Sequence, residues 1–332
     1  MSRPISRTVT RAILTRTALI ATALTASLAI TACVSSAGMN HRSDAYRMEV
    51  VTSQNASERV RFLVMHFTAI DFATSLRVLT EPSSAPVSSH YLIPEHNDPS
   101  YPHDELRVYQ LVDEHRRAWH AGPGHWEDRS QLNDHSIGIE IVNKSYCAPP
   151  AESAEEGESE TACFFPEFDP AQIDLVIALS KDILARYPDI SPTRVVGHGD
   201  ILPQWKIDPG PRFPWQKLAE AGIGAWYDDA TVKRHLDFLN GNTSSDRDSV
   251  RRRFAQWLQD YGYGINAETA SDADIGLYTR AFQYHFRPWN VDGEVDNQSR
   301  AILLALLEKY FPQKLSGYPG LNIPTMAAGE QR

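Results

Sequence analysis

The chain has 332 residues, 42% of them hydrophobic, and its 42 acidic against 32 basic side chains leave a formal net charge of −10. That length supports two domains, each with a sizeable core. A surface this acidic repels phosphates instead of exchanging their counterions, which argues against nucleic acid as a partner.

Arg3, Arg7, Arg11 and Arg16 open the chain without an acidic residue, and a small or apolar run follows from Thr17 to Ile30. About 14 residues is too short for a comfortable bilayer span, so residues 1–32 read as a signal peptide. Removing those four arginines takes the charge from −10 to −14. The signal ends in Leu28-Ala29-Ile30-Thr31-Ala32-Cys33, which resembles a bacterial lipobox. The resemblance implies cleavage before Cys33 and a membrane anchor through its lipidated thiol and acylated amino group. An ordinary secretory signal is the alternative. Val34 stands where enteric lipoproteins retained at the inner membrane carry aspartate, so the expected location is the periplasm, anchored to the outer membrane. Residues 33–57 are polar, without periodicity, and read as a tether.

From Arg59 the pattern is that of an α/β domain over residues 58–227. Segments 59–67, 89–93, 107–112, 137–142 and 194–197 read as short strands bounded by turn residues. Residues 71–80 and 215–221 read as helices, and the clearest helix runs from Pro170 to Tyr187. Asp169 caps it, Pro170 takes its first position, and Pro188 stops it. Strands alternating with helices argue for a mixed central sheet flanked by helices. Cys147 and Cys163 flank the acidic run 151–160, and in an exported protein a disulfide closing that surface loop is expected. Beyond residue 227 the pattern is helical only. Segments 250–261, 275–286 and 299–310 predict a small three-helix domain over residues 245–312, followed by a loose tail, 313–332.

The chemistry concentrates in Val195-Val196-Gly197-His198-Gly199-Asp200-Ile201 and, ten residues after its histidine, Asp208-Pro209-Gly210-Pro211. Far upstream the apolar run Phe62-Leu63-Val64-Met65 ends on His66. Two histidines and an aspartate with an open fourth position form a hydrolytic zinc site, whose bound water has its pKa lowered to roughly 7. Glu140 ends the alternation Ile137-Gly138-Ile139, so it faces opposite to Ile139 and is the candidate general base. Lys206 lies two residues before Asp208, on the same side of an extended segment, and is the candidate oxyanion stabiliser.

Further blocks complete the pattern: Val87-Ser88-Ser89-His90-Tyr91-Leu92-Ile93, Ala118-Trp119-His120-Ala121-Gly122, Ser136-Ile137-Gly138-Ile139-Glu140 and Phe213-Pro214-Trp215. Together and in this order, residues 59 to 225 resemble the Amidase_2 family of N-acetylmuramoyl-L-alanine amidases, related to T7-type lysozyme and peptidoglycan recognition proteins. The resemblance implies that fold, with Zn2+ on His66, His198 and Asp208 and peptidoglycan or muropeptides as substrate. His90, Trp119 and His120 read as groups of the cleft wall or just behind the ligands, not as ligands themselves, with polar ring edges and an indole face that suit binding of a sugar–peptide substrate. Where phage-type relatives place a tyrosine, this chain has Ser89, which leaves the base role to Glu140. In the helical region Phe254 to Tyr263, Ala281-Phe282-Gln283 and Val291-Asp292-Gly293-Glu294-Val295-Asp296 resemble a three-helix peptidoglycan-binding module. A non-catalytic recognition protein of the same fold is the alternative function, and a zinc peptidase acting within the stem peptide is a third. All three ligand positions are filled, which argues against the first of these.

Overall fold

The computed structural model describes residues 45, 46, 48–148, 162–242 and 245–316. The expected signal peptide, Cys33, the acidic run 151–160 and most of the tail lie outside the described residues. Contacts separate Met1–Ala56 from Ser57–Arg332. Of the first unit, residues 48–56 are irregular chain with Val50 and Val51 exposed. All elements below belong to the second.

In chain order these are β1 (Phe62–Phe67), α1 (Phe72–Thr80), β2 (Tyr91–Ile93), β3 (Tyr109–Gln110), β4 (His125–Trp126), β5 (Arg129–Ser130), β6 (Ser136–Ile141), β7 (Tyr146–Cys147) and β8 (Cys163–Phe164). They continue with α2 (Pro170–Arg186), β9 (Val195–Gly197), α3 (His198–Ile201), α4 (Trp215–Glu220), α5 (Asp229–Gly241), α6 (Arg247–Tyr261), α7 (Asp272–Phe286), α8 (Asn297–Tyr310) and α9 (Pro312–Leu315). The central sheet has the order β3-β2-β6-β1-β9. Its strands run parallel except β3, which pairs antiparallel with β2 at the edge. Two-stranded ribbons β4-β5 and β7-β8 lie outside it, and Cys147 and Cys163, paired across the second ribbon, are joined by a disulfide.

The sheet is covered on both faces, and β1 shows how. Leu63 and Met65 pack with Ile137, Ile139, Val195 and the apolar stripe of α2, including Ile173, Val176 and Ile183. Phe62 and Val64, on the opposite face by strand alternation, share a core with Phe254, Trp257, Phe282, Phe286 and Leu303 of the C-terminal helices. Parallel strands need cover on both faces, and here α6–α8 contribute to the second. α5, over a polar stretch that the sequence pattern left unassigned, packs against α8. Its buried His235 lies 2.8 Å from Glu308, which also accepts from Arg234 at 2.7 Å.

Helix boundaries follow capping chemistry. The Asp169 carboxylate accepts from the Ala171 N–H ahead of α2, Asp246 from Ser249 ahead of α6, and Asp296 from Ser299 ahead of α8. Each satisfies a first-turn donor that the helix itself leaves without a partner.

Candidate active site

In open α/β sheets ligands bind beyond the carboxyl ends of the parallel strands, and the candidate residues converge there. His66 follows the Phe62–Val64 alternation onto the face of β1 shared with the C-terminal helices. Glu140 is its register partner on the neighbouring strand β6, so the two side chains rise side by side. His198 directly follows β9 and starts α3. Asp208 reaches it because the segment 206–209 folds back against the Gly197-His198-Gly199 turn. The Gly199 N–H donates to the Asp208 carbonyl at 2.7 Å. A Cβ on Gly197 would come within 2.7 Å of Pro209, and one on Gly199 within 3.3 Å of the Ile207 backbone. The glycines on either side of His198 therefore permit the approach that places Asp208 beside it.

His66 Nδ1 lies 3.1 Å from His198 Nδ1 and 2.9 Å from Asp208 Oδ2, and His198 Nδ1 lies 3.2 Å from the same oxygen. All three residues are buried. Tetrahedral zinc with bonds near 2.0–2.1 Å sets its donor atoms about 3.3 Å apart, so the spacing and the donor set fit a metal ion. Burial pushes His66 down to about 4, opposed by the neighbouring Asp208 carboxylate and aided by the charge of His198. The ring is thus neutral near pH 7, as a ligand must be. Burial opposes ionisation of Asp208, but His198 and His66 hold its carboxyl well below the usual carboxylate range.

Glu140 completes the centre. Its Oε2 is shielded from solvent and has no hydrogen-bond partner among the described residues. Burial, reinforced by Asp208, raises its carboxyl well above the ordinary range, while Lys206 acts in the opposite direction. A carboxylate that binds its proton more tightly is a stronger base near neutrality. All five residues line one cleft of about 390 Å³, together with Trp119 and His120.

Trp119 stands 46% exposed on the cleft wall, as a stacking surface requires. His120 reaches the cleft but is buried, its Nδ1 3.0 Å from His66 Nε2 and its Nε2 3.2 Å from Ser136 Oγ. Burial, followed by the neighbouring His66 and His90, pushes its pKa well below the ordinary value. His90 corrects the sequence expectation: it lines no part of the cleft. It is fully buried, its Nδ1 accepts from the Gly138 N–H at 3.0 Å, and its Nε2 lies 3.2 Å from the Arg116 carbonyl. With both ring nitrogens engaged by backbone, it supports β6 and has no atom left for substrate.

Sequence reasoning passed over two features. Trp205, 72% exposed on the cleft rim, had a signal in its place, a large aromatic between His198 and Asp208 and next to Lys206. Asp200, two residues after His198, is buried and accepts from the Gly197 N–H at 2.8 Å, the Tyr263 hydroxyl at 2.8 Å and His285 Nδ1 at 2.7 Å. His285 is in turn stacked between Trp215 and Phe286. The turn that carries His198 is thereby tied to the C-terminal helices, through partners too distant in sequence to be read from it.

This geometry has close counterparts. Residues 56–211 match the Amidase_2 family, N-acetylmuramoyl-L-alanine amidase. The N-acetylmuramoyl-L-alanine amidase AmiD of Escherichia coli K12 is 41% identical over 286 residues, 86% of this chain and 96% of its own. Its structure, a complex with the substrate anhydro-N-acetylmuramic acid-L-Ala-D-gamma-Glu-L-Lys, superposes with a TM-score of 0.67 at 40% identity, covering 81% of this chain and 97% of that one. AmpDh3 of Pseudomonas aeruginosa, solved in complex with anhydromuramic pentapeptide, gives 0.69 at 44% identity over 80% and 97% of the two chains. With the family match, a close relative covered over almost its whole length and a shared fold, the chain belongs to the N-acetylmuramoyl-L-alanine amidases.

Proposed function

We propose that the chain is a zinc-dependent amidase that cleaves between the lactyl carbonyl of N-acetylmuramic acid and the L-alanine of the stem peptide, in peptidoglycan or in released muropeptides. The observation that carries this is the convergence of His66, His198 and Asp208 beside Glu140 and Lys206 in one cleft. His66, His198 and Asp208 would hold the ion, which when bound supplies Lewis acidity and a water of lowered pKa. Glu140 takes the proton of the attacking water as the new C–O bond forms. It delivers that proton to the alanine nitrogen as the C–N bond breaks. The Lys206 ammonium, at the mouth of the same cleft, offsets the negative charge that develops on the carbonyl oxygen. Trp119 and Trp205 offer their faces to the sugar and peptide.

The test is mass spectrometry of muropeptides incubated with the purified chain, after chelation, and after zinc is restored. Free stem peptide and peptide-free glycan, lost on chelation and regained with zinc, are expected. Intact substrate in all samples would favour the recognition-protein alternative, and shortened stems still on sugar would identify a peptidase.

The same reading places the enzyme in the periplasm on a lipid anchor at Cys33, at the outer membrane, supported by the sequence of the signal. Lipid mass on the N-terminal peptide, absent in Cys33→Ser, is expected, and fractionation with inner membrane would overturn the location. Residues 245–312 are proposed to hold wall polymer, supported by their motifs and by Trp289, which is 58% exposed. Trp289→Ala should weaken cosedimentation with sacculi. Unchanged cosedimentation would leave these helices a supporting role.

A further inference from the structure

The hydrogen bonds behind His66 run in one direction only. The Ser136 hydroxyl donates to the Leu132 carbonyl at 2.6 Å, and a carbonyl can only accept. Its single proton is thus committed, so Ser136 Oγ must accept from His120 Nε2, 3.2 Å away. A neutral His120 with its proton on Nε2 presents a bare Nδ1, which lies 3.0 Å from His66 Nε2. His66 must therefore donate through Nε2, and its lone pair is left on Nδ1, the atom facing His198 and Asp208.

We propose that Ser136 and His120 form a proton-ordering relay that locks His66 in the tautomer able to bind metal through Nδ1. This rests on the reading of His66 as a metal ligand. A ligating histidine is commonly oriented by an acceptor at its other nitrogen, and here that acceptor is an imidazole whose own tautomer is dictated by a backbone carbonyl. The surroundings hold His120 to this task. The N–H groups of His120 and Ala121 both donate to the Asn133 side-chain oxygen, at 2.9 and 2.8 Å. The ring lies over Gly138, where any Cβ would meet it at 2.5 Å. Gly138 is thus a seat for the relay, and its carbonyl is held by the Ser89 hydroxyl at 2.8 Å.

The experiment pairs histidine ¹⁵N NMR of the zinc-loaded full chain with zinc affinity from chelator competition. Protons on Nε2 of both His66 and His120, with neither on Nδ1, are expected. His120→Phe should lose roughly 10–100-fold in zinc affinity. His120→Asn, whose amide oxygen can stand where Nδ1 accepts, should retain most of it, which separates the relay from mere filling of space. A proton on His120 Nδ1, or equal zinc affinity in the Phe and Asn variants, overturns the relay. Undiminished zinc affinity in His66→Ala would instead overturn the ligand reading, and the relay with it.

Discussion

Glu140 and His66 are register partners on adjacent strands, yet burial acts on them in opposite senses. For Glu140 burial favours the protonated acid, so the acid limb of kcat/KM should lie above the ordinary glutamate range, with activity rising as the base ionises. Lys206 pulls that carboxyl down, so Lys206→Ala should move the limb to higher pH while lowering kcat; an unmoved limb would separate the two groups. Glu140→Gln should cost about 10²–10⁴ in kcat with metal content unchanged, read by turnover and elemental analysis. For His66 burial favours the neutral ring, giving a folded pKa of about 4 against 6.5. The unfolded metal-free chain then takes up the proton first. Stability from this group is full above pH 6.5 and lost as pH falls toward 4, by on the order of 3 kcal/mol. Denaturant titrations of metal-free chain at several pH values should show that slope, and His66→Ala should flatten it.

At the scale of elements, the α3 turn is held from both ends, by the segment 206–209 and by the C-terminal helices through Asp200. Tyr263→Phe removes one donor to a buried carboxylate and should destabilise the fold by about 1.5–3 kcal/mol, with weaker zinc retention, because His198 sits on the same turn. Loss of stability without loss of zinc affinity would limit the joint to a structural role. The β7-β8 ribbon depends on its disulfide, which closes a separation of 16 residues. Replacing both cysteines by serine should cost about 3 kcal/mol on the loop-entropy account, read as a lower denaturation midpoint. Legibility in the sequence divides along the same lines. The positions of His66, His198 and Glu140 around one cleft and the Asp169-Pro170 helix start were legible because local rules place them: strand ends, alternation and capping. α3 was not, since Gly199 within its four residues opposes helix formation locally and tertiary contacts override it. α5 was missed because polar and charged residues outnumber the apolar ones in it, although Val232, Leu236 and Leu239 stand at helical spacing and, with Phe238, pack into the core. The role of His90 depends on which way its ring turns at the start of β2, which spacing alone does not fix.

For the whole molecule, the continuous apolar run of β1 carried more information than a strand assignment uses. A strand apolar at every position needs cover on both faces, and part of the second cover arrives nearly two hundred residues later. Calorimetry should therefore show one cooperative transition for the sheet and α6–α8, and two separate transitions would contradict the shared core. Removing everything from residue 245 onward should expose Phe62 and Val64 and leave a chain that binds an apolar dye. The joint at Asp200 adds a constraint on kinship and on engineering alike. In this chain the sheet domain and the C-terminal helices cannot be exchanged as independent parts. A chimaera that inherits Asp200 without Tyr263 and His285 strips two of three donors from a buried carboxylate in the His198 turn, so the three residues should be transplanted together.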